Sequence, residues 1–176
     1  SMTMSTIRMS SLLIALAAAA TPFASQAQST PARAAVVAAA SEQQLQVRDP
    51  WIRATVAGQK ATGAFMVLQP SQPLVLVGAR SPLTPVVEVH EMAVVDGVMK
   101  MRRIPQLALP AGAATGLKPG GYHIMLMDLQ APVQAGSVIP VTLELRDAQG
   151  KALERTLQIP VRPVSYSAGS QQMMHH

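Results

Sequence analysis

The chain of 176 residues contains no cysteine. Disulfide bonds therefore cannot contribute to its stability, and a packed apolar core has to hold the fold together. A blue-copper electron-transfer site is also excluded, because such a site needs a cysteine thiolate as a ligand.

Aromatic and charged residues are scarce, at 3% and 13% of the chain. The formal net charge is +5, but the basic residues are scattered and Arg102-Arg103 is the only adjacent pair. A nucleic-acid-binding surface is therefore not expected. The few acidic residues are dispersed, and no acid/base pair, nucleophile triad or phosphate-binding loop is visible, so we do not expect an enzyme.

A long hydrophobic run is also missing, because the apolar stretch from Leu12 to Ala20 is too short to predict a membrane span. Arg8 precedes that stretch and Ser25-Gln26-Ala27 follows it as a cleavage site, which is typical of a signal peptide over residues 1–27. Residues 1–3 are interpreted as a cloning remnant. We expect export to the periplasm, cleavage near Ala27 and no stable membrane insertion afterwards. An uncleaved N-terminal anchor is the alternative.

Three further segments follow the signal peptide. Residues 28–43 are Ala-rich and predict a linker, residues 44–163 predict a single domain, and residues 164–176 predict a flexible tail. Within the domain, short alternating stretches separated by turns indicate an all-β sandwich. Asp49-Pro50 is expected to interrupt one strand, and Trp51, the only tryptophan, is expected to pack in the core.

The most informative stretch is 90–127, which holds two of the four histidines. Asp96-Gly97 predicts a two-residue hairpin turn, because both central positions of a type I′ turn need positive φ. Side chains alternate along a strand, so His90, Met92, Met99 and Met101 should project from one face of the hairpin.

A second turn predicts a second ligand strand. Lys118-Pro119-Gly120-Gly121 suits a type II turn, and the following strand should carry His123, Met125 and Met127 on one face. Imidazole and thioether ligands on neighbouring strands form a soft, uncharged set that favours Cu(I). Zinc is a poorer match, because zinc sites are built from Cys, His and carboxylate. The alternative for each residue alone is structural packing.

The spacing of these residues resembles a known family. His90, ten residues, Met101, twenty-one residues, His123, one residue and Met125 match the H-x10-M-x21-H-x-M signature of the periplasmic copper chaperones called PCu(A)C. The surrounding segments, VHEM, DGVMKMR and LKPGGYHIML, agree with it over roughly residues 47–161. The resemblance implies a cupredoxin-like, Greek-key β-sandwich. It also implies Cu(I) bound by these four residues and delivered to the CuA centre of cytochrome c oxidase subunit II, with Sco-type proteins as co-workers.

Other residues of the stretch and of the C-terminus have secondary roles. Met92, Met99 and Met127 are expected to pack around the ligands or to substitute for one of them, and Glu91 is either a residue that orients a ligand histidine or a solvated charge. The C-terminal residues predict a flexible second site that would bind Cu(II): Met173, Met174, His175 and His176. The alternative function is a periplasmic interaction module with a Met-rich docking face and no physiological metal.

Overall fold

The structure is a computed structural model that describes residues 18–19 and 37–168. The predicted signal peptide, most of the predicted linker and the tail site at 173–176 lie outside the described residues. Within the described part of the chain, no helix is long and apolar enough to cross a membrane.

Eleven strands and no helix are present in the described residues. The strands are β1 (Ala38–Ala39), β2 (Leu45–Arg53), β3 (Thr62–Pro70), β4 (Leu74–Arg80), β5 (Val87–Val95), β6 (Val98–Arg103), β7 (Leu107–Leu109), β8 (Thr115–Leu117), β9 (His123–Leu126), β10 (Val138–Asp147) and β11 (Ala152–Arg162).

The strands form two sheets that share β11. Sheet A contains β1, β11, β10, β4 and β7, and sheet B contains β2, β3, β8, β9, β5 and β6. Most of β11 pairs antiparallel with β10, but Val161 and Arg162 pair parallel with β2 and so carry the chain from one sheet to the other. The continuous order is β6-β5-β9-β3-β2-β11-β10-β4-β7. The predicted all-β sandwich is confirmed.

Aliphatic side chains from both sheets form the core. In β10, Val141, Leu143 and Leu145 are all buried, as the alternation of this strand predicts. Sheet B contributes Ile52 and Ile124, which are both fully buried. Each large aliphatic side chain removed from water contributes about 1.5–3 kcal/mol, so a core of this kind stabilises the fold without disulfides.

The structure changes two details of the expected strand pattern. β2 is continuous through Asp49-Pro50, where a bulge shifts its register against β3 and Asp49 adopts a φ of 50°. Part of the predicted linker is folded: β1 pairs parallel with β11, and Ala40 is buried. The Arg155 guanidinium stabilises this segment by donating hydrogen bonds to the carbonyl oxygens of Ala40 and Leu45.

Trp51 is buried as predicted, but it lies outside the aliphatic core cluster. Its neighbour Ile52 belongs to that cluster, and adjacent residues of a strand point to opposite faces. Trp51 therefore lies on the outer face of sheet B. It contacts Phe65 at 4.6 Å between ring centroids and Tyr166 at 4.8 Å. Sequence alternation alone did not reveal this second buried group.

Candidate metal centre

The β5–β6 hairpin has the register that its turn predicts. Asp96 and Gly97 have φ angles of 52° and 77°, as a type I′ turn requires. Met92 lies opposite Met101, and His90 lies opposite Arg103. Met101 is therefore a diagonal neighbour of His90 on one face of the hairpin.

β9 lies on the other side of β5 and brings the second histidine to the first. His90 and His123 are directly opposite each other in the antiparallel ladder, and their ring centroids are 5.8 Å apart. Met125 lies opposite Glu88, so it is also a diagonal neighbour of His90. β5 is thus the central strand of the candidate site, with one methionine position on each flank.

The two histidines are buried, whereas the methionine of β6 is accessible. His90 and His123 are 7% and 5% exposed, and Met101 is 46% exposed. Met125 is half-buried. The candidate site therefore has a closed histidine side and an open side at β6.

Each histidine uses one ring nitrogen in a hydrogen bond. His123 Nδ1 donates to the carbonyl oxygen of Gly121 at 3.0 Å, and His90 Nε2 donates to the carboxylate of Glu88 at 2.7 Å. These acceptors fix the tautomers, because neither a carbonyl nor a carboxylate oxygen donates a proton. His123 Nε2 and His90 Nδ1 are buried and have no hydrogen-bond partner among the described residues. In the neutral form of each ring, these two nitrogens carry the lone pairs.

Burial lowers the pKa of His123 below its ordinary value of 6.5. The hydrogen bond to Gly121 opposes this shift, and the nearby His90 adds to it. Because desolvation is the largest effect, the neutral imidazole is favoured, and the neutral form is the one that binds a metal ion.

The ring of Phe65 packs beside His123 on the outer face of sheet B. The Phe65 ring centroid is 6.3 Å from that of His123. The ring occupies the space that a side chain at residue 63 would take: a Cβ on Gly63 would lie 2.6 Å from Phe65 Cζ. Gly63 is itself opposite Met125 in the ladder. This glycine thus allows an apolar ring to pack beside the candidate ligands.

The predicted ligands share one face of sheet B: His90, Met101, His123 and Met125. Met92 and Met99 lie on the same face of the hairpin. Met127 follows the end of β9 at Leu126, so the predicted strand is one residue too long.

Glu88, and not Glu91, is the acidic residue that contacts a histidine. Glu91 lies on the opposite face of β5 and accepts a hydrogen bond from Arg102 Nε at 2.6 Å. Glu88 holds His90 instead. The spacing Glu88-x-His90 was the available signal, because residues two apart share a face of a strand.

Known proteins resemble this chain in sequence and in structure. The family described as "Putative lipoprotein LpqE-like" matches residues 45–161. "Putative lipoprotein Lxx21020" of Leifsonia xyli subsp. xyli (strain CTCB07) is 36% identical over 104 residues, which cover 58% of this chain and 63% of that protein. The match thus spans less than two thirds of the relative's length.

Two solved structures share the fold. The apo-DR1885 structure from Deinococcus radiodurans has 25% identity and a TM-score of 0.51, and the match covers 90% of this chain and 95% of that one. The copper-bound PCuAC domain from PmoF2 has 22% identity and a TM-score of 0.54, with 68% and 93% covered.

Proposed function

The chain belongs to the LpqE-like family and has the fold of PCuAC domains, and we propose that it is an exported copper chaperone. In this proposal it binds Cu(I) through His90, Met101, His123 and Met125. It then delivers the ion for assembly of the CuA centre of cytochrome c oxidase. It is a binding protein and not an enzyme.

The observation that carries the proposal is the pair of free ring nitrogens. His90 Nδ1 and His123 Nε2 are buried on adjacent strands without a hydrogen-bond partner in the described part of the chain. A buried polar atom without a partner costs about 1–3 kcal/mol, so two of them side by side are expected to have a ligand. A metal ion satisfies both lone pairs at once.

The chemistry of the surrounding donors favours Cu(I) as the cargo. Thioether sulfur is a soft donor, and Met101 and Met125 lie diagonally on either side of His90. All four donors are neutral, which favours a monocation over a dication. The carboxylate of Glu88 is bound to His90, and this is the arrangement by which a carboxylate orients a metal-binding imidazole.

Release proceeds by exchange of ligands at the open side of the site. Met101 is 46% exposed, so an incoming donor from a partner protein reaches this flank first. A thioether carries no proton and binds weakly, so copper leaves without waiting for a protonation step. When copper is bound, both free histidine nitrogens serve as ligands, so the donor set is left with no general base, in keeping with a binding role.

We also propose a cellular location, partner proteins and a role for the C-terminal tail. Export to the periplasm is supported by the leader-like residues 1–27 and by the family's description as lipoproteins. Subunit II of the oxidase is the proposed recipient, with Sco-type proteins as co-workers. The residues at 173–176 are proposed to add a Cu(II) site.

Competition titration tests the binding function directly. Wild-type protein is titrated with Cu(I) under anaerobic conditions against a chromophoric chelator, beside His123→Ala. We expect one tight equivalent in the wild type and its loss in the variant. If the wild type binds no copper, the chain is instead an interaction module with a Met-rich docking face.

A matched pair of methionine variants tests the ligand set. Met101→Leu removes a sulfur at the proposed site, and Met66→Leu makes the same change at a methionine that is buried in the core. We expect weaker Cu(I) binding only for Met101→Leu. Equal affinities in the two variants would show that the thioether of Met101 is not a ligand.

A further inference from the structure

The end of the β5–β6 hairpin extends beyond its neighbours in sheet B. β5 pairs with β9 only from Val87 to His90, so residues 91–95 pair with β6 alone among the described residues. β6 is the last strand of the sheet, and its outer edge faces no other described strand. We call residues 91–102 the hairpin arm. A two-stranded ribbon is at best marginally stable in water, so we expect a partner to cover it.

One face of the hairpin arm is apolar and exposed. Val94, Met99 and Met101 are 67%, 54% and 46% exposed, and they lie on the same face as His90. Scattered exposed apolar residues are ordinary, but contiguous ones beside a candidate site indicate an interaction surface. Methionine side chains adapt to different partner shapes, which suits transient docking.

The charge of β6 indicates what kind of partner fits. The strand carries Lys100, Arg102 and Arg103 and no carboxylate. Arg103 shares the face of Met99 and Met101, whereas Lys100 and Arg102 project from the other face of the strand. Arg102 is paired with Glu91, whereas neither Lys100 nor Arg103 forms an ion pair among the described residues. A second copy along this edge would bring like charges together, and basic edge strands oppose such self-pairing. A partner with carboxylates opposite β6 meets no such repulsion.

We propose that the hairpin arm is the docking surface for a copper-accepting protein whose contact face has an apolar centre bordered by carboxylates. The inference rests on the proposed function. Because the histidines are 7% and 5% exposed and Met101 is 46% exposed, the acceptor's ligand reaches the ion from the side of Met101. Docking on the arm brings the acceptor to that side.

Transfer kinetics test the docking surface. Cu(I)-loaded protein is mixed with the apo soluble domain of oxidase subunit II as the probe, and copper in each protein is measured over time after rapid separation. We expect Val94→Ser to slow transfer roughly three- to tenfold, because a valine covered in the complex loses its apolar contacts. Lys100→Glu should also slow transfer roughly three- to tenfold at low salt. At about 0.5 M salt the effect should be much smaller, because salt screens the charge.

Two exposed positions outside the hairpin arm supply matched controls. Val138→Ser and Lys151→Glu make the same chemical changes in or beside β10 and β11, and both should transfer copper at the wild-type rate. Addition of the probe to ¹⁵N-labelled protein should also shift the amide signals of residues 91–102 and leave those of β10 in place.

The outcomes separate this inference from the proposed function. Wild-type protein that binds no Cu(I) overturns the copper chaperone itself. If the wild type binds Cu(I) and transfers it, two results overturn only the docking surface: arm variants that transfer like their controls, or amide shifts outside the arm. If the wild type binds Cu(I) but transfers none to the probe, the docking surface and the proposed recipient both fail, while the copper-binding function stands. A concentration-dependent dimer formed through the arm overturns the acceptor as its occupant.

Discussion

Glu88→Gln removes the charge that holds His90 while keeping the side chain almost the same size. The carboxylate accepts a hydrogen bond from Nε2–H, with 2.7 Å between nitrogen and oxygen, which leaves Nδ1 free to bind. A glutamine amide offers an oxygen as a weaker acceptor, but its NH₂ group also donates to the other tautomer. In that tautomer the proton moves to Nδ1 and blocks the proposed ligand atom.

The expected loss follows from the role of this hydrogen bond. Replacing a group that orients a metal-binding histidine typically weakens metal affinity about 10–100-fold. That range corresponds to about 1.4–2.7 kcal/mol of binding free energy. Since a charge-assisted hydrogen bond is roughly twice as strong as a neutral one, a loss within this range is reasonable for Glu88→Gln.

Anaerobic competition with a Cu(I) chelator measures the effect, and Glu91→Gln is the matched control. Glu91 is three residues away on the same strand, but it lies on the other face and pairs with Arg102. We expect the control to bind within about twofold of the wild type, because exposed ion pairs contribute little. The ¹⁵N shifts of the His90 ring report the tautomer independently of copper.

The reasoning fails if Glu88→Gln binds Cu(I) as tightly as Glu91→Gln does. It also fails if the ring of His90 in the apo wild-type protein carries its proton on Nδ1. Either result would mean that Glu88 is a neighbour of the histidine and does not select its ligand atom.

Three further predictions concern stability and are checked by urea denaturation of the apo protein. Gly63→Ala should cost about 1–3 kcal/mol, because the new Cβ would lie 2.6 Å from the Phe65 ring; Gly116→Ala, with no atom within 4 Å, should stay within about 0.5 kcal/mol. Equal effects would contradict the tight packing at residue 63. Gly97→Ala should cost roughly 1–2 kcal/mol because its φ is 77°, and an unchanged midpoint would argue against the type I′ turn. Because the pKa of His123 is lowered in the folded protein, the unfolded state binds a proton near pH 6.5, whereas the folded state binds it only at lower pH. Stability should therefore decrease with falling pH, and His123→Gln should make that decrease shallower; an identical slope would show that His123 does not contribute.

Local patterns predicted the hairpin and most of the strands correctly. The register of His90, Met92, Met99 and Met101 followed from one turn and from the alternation of side chains. Both depend on backbone sterics within a few residues, so they are readable from sequence. The extent of β9 was less certain, because short strands end where their neighbours stop pairing, and Met127 fell outside it.

The folded part of the linker and the outer position of Trp51 were not predictable in this way. β1 has two residues, and it exists because β11 offers a free edge and Arg155 holds the neighbouring carbonyls. Trp51 is buried between Phe65 and Tyr166, and its apolar character alone did not distinguish that position from the core.

The sequence by itself determined the candidate set of soft donors, the turn at Asp96-Gly97 and the face that the hairpin residues share, because residue chemistry and chirality act locally. Only the tertiary structure decided that β9 pairs with β5, so that His123 lies directly opposite His90. It also decided that Glu88 and the Gly121 carbonyl each take one ring nitrogen and leave the other free. Such pairings join residues far apart in the chain, and the packing of two whole sheets around one core selects them.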